Sequence, residues 1–203
     1  MIARLSLEIS DKRVIEAMRR VPREAFVPQE LGYAAYEDRP LSIGFGQTIS
    51  QPYIVALMVQ ALELESQDKV LELGAGSGYE AAILAELSRE VITIERIPEL
   101  ADRARLVLQQ LGYSNIKVYP AGKELGWPDE APYDAVIVSA GAPGVPPALL
   151  EQLSLGGRLV IPVGSRWQQD LLKVTKGKKG NKVENLGGCY FVPLIGEGAW
   201  EEE

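Results

Sequence analysis

The stretch Val70-Leu71-Glu72-Leu73-Gly74-Ala75-Gly76-Ser77-Gly78-Tyr79 constrains this chain more than any other. A short apolar run ends in glycines at alternate positions, and a helix-compatible segment, residues 79–88, follows directly. Glycines at that spacing let the backbone turn sharply and let a ligand approach the main chain. A strand that runs through such a loop into a helix is the opening unit of an α/β sheet, and ligands bind at the carboxyl ends of those strands. A plain strand–helix turn would rarely need that much backbone freedom.

The alternation continues beyond the loop. Residues 91–94, 116–119, 135–138 and 158–161 read as further strands, with helices over 99–111 and 147–153. Short β-branched runs alternating with helices predict a doubly wound, mostly parallel α/β sheet covered on both faces. Residues 171–175 and 190–194 bring the sheet to seven strands, around a Lys-rich stretch, 176–185, that reads as a hairpin or a long surface turn. Ahead of the core, residues 11–21 read as a helix capped by Ser10 or Asp11, with Val14, Ile15, Met18 and Val21 on one face. Residues 52–64 read as a second helix with Pro52 in its first turn. The stretch 22–50 is too long for a simple connection, so it is functional or holds short elements. The expected organisation is one domain, 1–203, with an N-terminal helical and loop extension (1–64, a substrate or lid region) and an α/β core (65–203). The acidic tail Glu201-Glu202-Glu203 is expected to be solvated.

Composition narrows the chemistry. The net charge is -7, which disfavours a large nucleic-acid footprint. There is no histidine, so the commonest general base and the commonest metal ligand are both missing, and no metal site is expected. The single cysteine, Cys189, excludes an internal disulfide and points to the cytoplasm. No apolar run approaches the ~18 residues of a membrane span.

The loop departs from the dinucleotide fingerprint, because Tyr79 stands at the sixth position, and no Walker lysine follows. Its Gly-x-Gly-x-Gly form resembles motif I of class I S-adenosylmethionine-dependent methyltransferases. Glu95 closes the next strand about 20 residues on, where an acid can accept hydrogen bonds from ribose hydroxyls.

A narrower resemblance spans the chain. It is carried by Val21-Pro22-Arg23-Glu24-Ala25-Phe26-Val27-Pro28, by Gly46-Gln47-Thr48-Ile49-Ser50-Gln51-Pro52-Tyr53, by Leu125-Gly126-Trp127-Pro128 and by Phe191-Val192-Pro193-Leu194-Ile195-Gly196. These blocks resemble the protein-L-isoaspartate O-methyltransferases. The resemblance implies S-adenosylmethionine as cofactor and S-adenosylhomocysteine as its product. It implies the free α-carboxylate of L-isoaspartyl residues in damaged proteins as methyl acceptor, with the chain acting as a monomer. It places cofactor contacts at Gly74, Ala75, Gly76, Ser77, Gly78, Glu95, Arg96, Gly122 and Lys123. Substrate contacts fall at Thr48, Ile49, Ser50 and Gln51, with Ser50 as the active-site residue. Two departures stand out. The family usually has Gly-Asp-Gly where this chain has Ala121-Gly122-Lys123, with Glu124 the nearest acid, and Phe45 stands where the family often has histidine.

Read without the resemblance, Ser50 is a good N-cap for the helix that starts near Pro52. Both roles are compatible, since a helix N-terminus attracts a carboxylate. The chemistry also suits a chain without histidine. A carboxylate of reference pKa ~4 is already an anionic nucleophile at neutral pH, and a sulfonium methyl is already activated. What is needed is in-line placement at roughly 3 Å. Two alternatives remain at this point. One is a methyltransferase of the same fold acting on another substrate. Against a base N-methylase, the fourth core strand ends in Ser139-Ala140-Gly141-Ala142-Pro143 and not in Asn/Asp-Pro-Pro-aromatic. Against a cytosine C5 enzyme, the only thiol, Cys189, reads as a buried strand residue. The other alternative is a catalytically weak relative serving as a binding module, motivated by Ala121-Gly122-Lys123. Trp127 and Trp167 read as packing residues.

Overall fold

The computed structural model describes residues 1–201, so Glu202 and Glu203 of the acidic tail lie outside it. In chain order the elements are α1 (Ile2–Glu8), α2 (Lys12–Arg20), β1 (Leu41–Gly44), β2 (Gln47–Ile49), α3 (Pro52–Ala61), β3 (Lys69–Leu73), α4 (Tyr79–Ala85), β4 (Glu90–Glu95), α5 (Pro98–Gln110), β5 (Ile116–Pro120), β6 (Tyr133–Val138), α6 (Pro147–Glu151), β7 (Leu153–Gly164), β8 (Gln169–Thr175) and β9 (Lys182–Cys189).

Alternate residues of the central strands go to opposite faces of the sheet. Val70, Val91, Ala135 and Ile137 join a core shared with α2, α3, α4 and α5. Leu71, Ile92, Val136 and Val138 join a second core with Leu149 of α6. Strands apolar on both sides must be covered on both sides, which gives the doubly wound, seven-stranded sheet expected from the sequence. Its order is β5-β4-β3-β6-β7-β8-β9. The strands from β5 to β7 are parallel, and β8 and β9 are antiparallel additions. The chain winds outward from β3 to β5 and then returns to place β6 on the other side of β3. The carboxyl ends of β3 and β6 therefore form the switch point at which open α/β sheets bind ligands.

Several expectations are corrected. The last strand is β9, and residues 190–194 have left the sheet. They are tied instead to the loop after β6, where the Gly141 N–H donates to Val192 O and the Leu194 N–H donates to Gly141 O, each at 2.8 Å. β9 lies at the sheet edge and is mostly exposed, so it has no need of the apolar run that marks a central strand. Helix α3 stops at Ala61, short of residue 64. Glu63 adopts φ +50, and Arg158 of β7 donates to the carbonyls of Leu62 (2.7 Å) and Glu63 (3.0 Å), satisfying the helix end from across the fold. Residues 22–50 hold two 3-10 turns, Arg23–Phe26 and Gln29–Ala34, and the β1–β2 hairpin. The N-terminal helix α1, which has no counterpart in the sequence reading, buries Leu5.

Candidate functional site

A cavity of about 640 Å³ opens at the switch point, within the ~300–1,000 Å³ of small-molecule sites. Three stretches wall it: the strand-end and glycine loops of the sheet, the segment 46–51, and the C-terminal segment 188–195.

The glycine loop is held by its own backbone and by one carboxylate. Gly74 N–H (2.9 Å) and Ala75 N–H (3.1 Å) both donate to Ile94 O at the end of β4. Glu95, buried at the next position, accepts from Gly76 N–H at 2.8 Å and from Ile97 N–H at 2.9 Å. Gly74 and Gly76 take φ of +93 and +52, which side-chain-bearing residues rarely adopt. Both carboxylate oxygens of Glu95 keep a further lone pair for a ligand. The loop's other task is packing. A Cβ on Gly78 would come within 3.3 Å of Ala104 and Leu108 of α5, so this glycine lets α4 and α5 close together.

The predicted cofactor residues divide accordingly. Gly74, Ala75, Gly76, Ser77, Glu95, Arg96 and Gly122 line the cavity, whereas Gly78 and Lys123 do not. Lys123 is exposed outside it, and the next residue, Glu124, lines it instead. The turn after β5 is anchored by the Ala121 N–H on Glu95 O at 2.8 Å. An acid is therefore present at this wall, two positions later than the resemblance implied.

Behind the glycine loop lies a group the sequence reading passed over. Glu72 of β3 and Glu80 of α4 are both buried, and both sit at positions where the pattern calls for apolar residues. Both oxygens of Glu72 and Oε1 of Glu80 are without hydrogen-bond partners; Oε2 of Glu80 accepts from the Ser139 hydroxyl at the end of β6. Burial, reinforced by the Glu80 charge, pushes the Glu72 carboxyl well above the usual carboxylate range. Burial raises Glu80 to about 7, against the opposing pull of the Ser139 hydrogen bond. Glu80 and Ser139 line the cavity. A carboxylate inside an otherwise apolar strand and helix was the available signal.

The opposite wall is positioned by side chains. The β1–β2 hairpin lies over the glycine loop, its Ile43 Cδ1 at 3.5 Å from where a Cβ on Gly76 would stand. Arg103 of α5 pins it, donating to Ile43 O at 2.9 Å. Arg23 is fully buried and donates to Ala35 O (2.8 Å) and Ser50 O (2.7 Å) while lying 4.7 Å over the Tyr79 ring. Thr48, Ile49, Ser50, Gln51 and Tyr79 all line the cavity. Ser50 is not the cap of α3. Gln51 holds that position without a side-chain bond, and Asp38 reaches in to accept from Tyr53 N–H at 3.0 Å and from Gln51 Nε2 at 3.1 Å. A carboxylate does sit at this helix start, but it is the chain's own Asp38, and the Ser50 hydroxyl is left to the cavity.

The C-terminal segment closes the third side, held by the Phe191 N–H on Gln169 Oε1 at 2.8 Å. Cys189 is half-buried at the end of β9 and lines the cavity, in place of the buried strand position expected for it. Burial raises its thiol to about 11, so it is not a nucleophile at neutral pH. Trp127 stacks on Tyr119 at 4.5 Å, outside the cavity. Among the described residues no cluster of His, Cys, Asp and Glu could hold a metal ion.

Comparisons with known proteins agree with this geometry. Residues 3–199 match the family model of protein-L-isoaspartate(D-aspartate) O-methyltransferase. The chain is 57% identical over 197 residues to protein-L-isoaspartate O-methyltransferase 1 of Syntrophobacter fumaroxidans, covering 97% of this chain and 92% of that protein. It is 54% identical over 195 residues to the protein-L-isoaspartate O-methyltransferase of Methanoculleus marisnigri, covering 96% and 89%. Among solved structures it resembles a Plasmodium falciparum protein described as a beta-aspartate methyltransferase, in complex with S-adenosyl-L-homocysteine. That match has a TM-score of 0.83 and 26% identity and covers 97% of each chain.

Proposed function

Because the chain belongs to the protein-L-isoaspartate(D-aspartate) O-methyltransferase family, we propose that it transfers a methyl group from S-adenosylmethionine to the free α-carboxylate of L-isoaspartyl residues in damaged proteins, the step that initiates their repair. The observation that carries this reading is convergence: the glycine loop, Glu95 and Ser50 meet at one cavity within a chain that matches the family almost end to end.

The cavity suits the cofactor. Its volume is adequate, Gly74 and Gly76 line it with main chain and no side chain, and Glu95 offers acceptors for ribose hydroxyls. Bound S-adenosylmethionine supplies a methyl group already activated on a sulfonium. The remaining tasks belong to the protein. Gly74, Ala75, Gly76 and Ser77 seat the cofactor from below, and Glu95, Arg96, Gly122 and Glu124 border it. Ser50 donates its hydroxyl to one oxygen of the incoming carboxylate and leaves the other free to attack. Thr48, Ile49 and Gln51 hold the flanking peptide, and residues 1–64 act as a lid that excludes water. No general base is required, because the acceptor is already an anion at neutral pH. Glu124 at the cavity wall favours this over a binding module lacking an acid there.

The site is assembled within one chain, which supports a monomer as the working unit. The lone thiol supports a cytoplasmic setting. Among the described residues no helix is long and apolar enough to cross a membrane.

The test is a methyl-transfer assay with labelled cofactor on an isoaspartyl peptide and its normal aspartyl twin. Methyl esters are expected on the first only. The two carboxylates have nearly the same charge, so discrimination must come from placement, and an error near 1 Å costs about a hundredfold in rate. Equal labelling of both peptides would overturn the substrate assignment.

A further inference from the structure

Two buried carboxyl groups in contact with no cation are expensive to ionise, and a protein keeps them only where something offsets the cost. Glu72 and Glu80 are such a pair. None of the groups that bias either one is a cation. Glu72 faces Glu80 and, from β4, Glu95 and Thr93; β6 contributes Ser139. On the far side of α4 the charge of Arg23 lies over the Tyr79 ring, and Arg20 is paired with Glu86. Glu72 is sealed behind the strand, but Glu80 lines the cavity, its Oε2 held by Ser139 and its Oε1 buried without a partner. The cavity wall here is a built acceptor for a cationic donor.

We infer that Glu80, clamped by Ser139 and backed by Glu72, receives the α-ammonium of the cofactor's amino-acid arm and gives up a proton as it does so. This rests on the cofactor reading above and adds a proton to it. With the site open, burial favours the protonated form of Glu80, and the Glu72 carboxyl beside it is pushed toward its neutral form too. When the ammonium arrives at the cavity wall, it supplies the cation that the buried pair lacks, the carboxyl group ionises, and the released proton goes to solvent. One proton leaves, and one ion pair forms between –COO⁻ and –NH₃⁺. The sign follows from linkage. The bound form carries fewer protons than the free form, so affinity rises with pH up to about 7 and levels off above it.

Titration calorimetry of the full chain with S-adenosylhomocysteine, run in two buffers of different ionisation enthalpy, counts that proton. Near pH 6 binding is expected to release close to one proton, and near pH 8.5 almost none, with affinity about tenfold higher at the upper pH. Glu80→Gln, which keeps the shape and the contact with Ser139, should release none at either pH and bind independently of pH. 5′-Methylthioadenosine, which has the nucleoside and the sulfur but no ammonium arm, should release none from the unaltered protein. If Glu80→Gln does not fold, Ser139→Ala serves. Loss of the clamp should move the midpoint of the affinity profile upward, because the Ser139 bond holds the Glu80 pKa down. Proton release that survives in Glu80→Gln, or is equal for 5′-methylthioadenosine, overturns the inference. So does a midpoint unmoved in Ser139→Ala. S-Adenosylhomocysteine binding without proton release overturns it while leaving the cofactor reading standing; failure of that ligand to bind overturns both.

Discussion

Along residues 73–80 the cavity wall is fixed by its own backbone, whereas along residues 48–51 and 188–195 it is fixed by side chains that reach in from elsewhere. In the first region Gly74, Ala75 and Gly76 all bond to the end of the neighbouring strand or to the carboxylate that closes it. In the second, Arg23 holds Ser50, Arg103 holds the hairpin, Asp38 caps α3 and Gln169 holds Phe191, each from a different part of the chain. Backbone-built walls resist single side-chain changes away from the glycines. Walls hung on side chains move when one of those side chains is lost. The difference matches the two tasks, since the cofactor is one fixed molecule while the peptide partner varies in sequence.

Gly76→Val attacks the backbone-built wall where it has no slack. The φ of +52 is hostile to a β-branched residue, and the new side chain would press on Ile43. Binding of S-adenosylhomocysteine should become undetectable by calorimetry while the far-ultraviolet dichroism keeps its shape; retained affinity would show that the loop tolerates what its geometry forbids.

Arg23→Met does the equivalent on the other wall. It strips charge-assisted bonds from the carbonyls of Ala35 and Ser50 and should cost about 3 kcal/mol of stability in a denaturant titration. In the molecules that remain folded, KM for the isoaspartyl peptide should rise while the cofactor constant stays within about twofold. If the cofactor constant moves as far as KM, the two walls are not separable.

Glu95→Gln tests how much of the first wall depends on a single side chain. An amide can accept for only one of the two N–H groups, so cofactor binding should weaken by about 1–2 kcal/mol. No change in titration calorimetry would mean that the backbone alone sets the loop and that the ribose partner lies elsewhere.

Ser50→Ala is the mildest. Removing one hydrogen bond to the substrate carboxylate should lower kcat/KM on the isoaspartyl peptide about tenfold, with the binding of S-adenosylhomocysteine unchanged. A parallel loss of cofactor affinity would place Ser50 on the wrong side of the comparison.

Much of this is legible in the sequence. The strand–glycine–helix unit, six of the seven strands and the acid at Glu95 all came from contiguous patterns in which each residue's environment is set by its near neighbours. The misses have a common cause. Phe191, Val192 and Leu194 are apolar because they pack into the two cores from outside the sheet, while the true last strand is polar because it sits at an edge. Helix α3 ends where Arg158, far along the chain, takes its last carbonyls. Lys123 and Glu124 differ by one position in a loop without periodicity, and nothing local decides which of them faces the cavity.

What the sequence by itself determined is therefore the frame: the doubly wound sheet, the glycine loop at the carboxyl end of its first core strand, and the acid that closes the next strand. These follow from backbone torsions and alternating apolarity, which act over a few residues. Only the tertiary structure decided that Asp38 caps α3 and frees the Ser50 hydroxyl, that a buried arginine suspends Ser50 from behind, and that Glu72 and Glu80 meet behind the glycine loop. Each of these joins residues that are neighbours only after the chain has packed, and burial changes what those residues are. A carboxyl group that would be charged in water is pushed toward its neutral form by the loss of solvent around it.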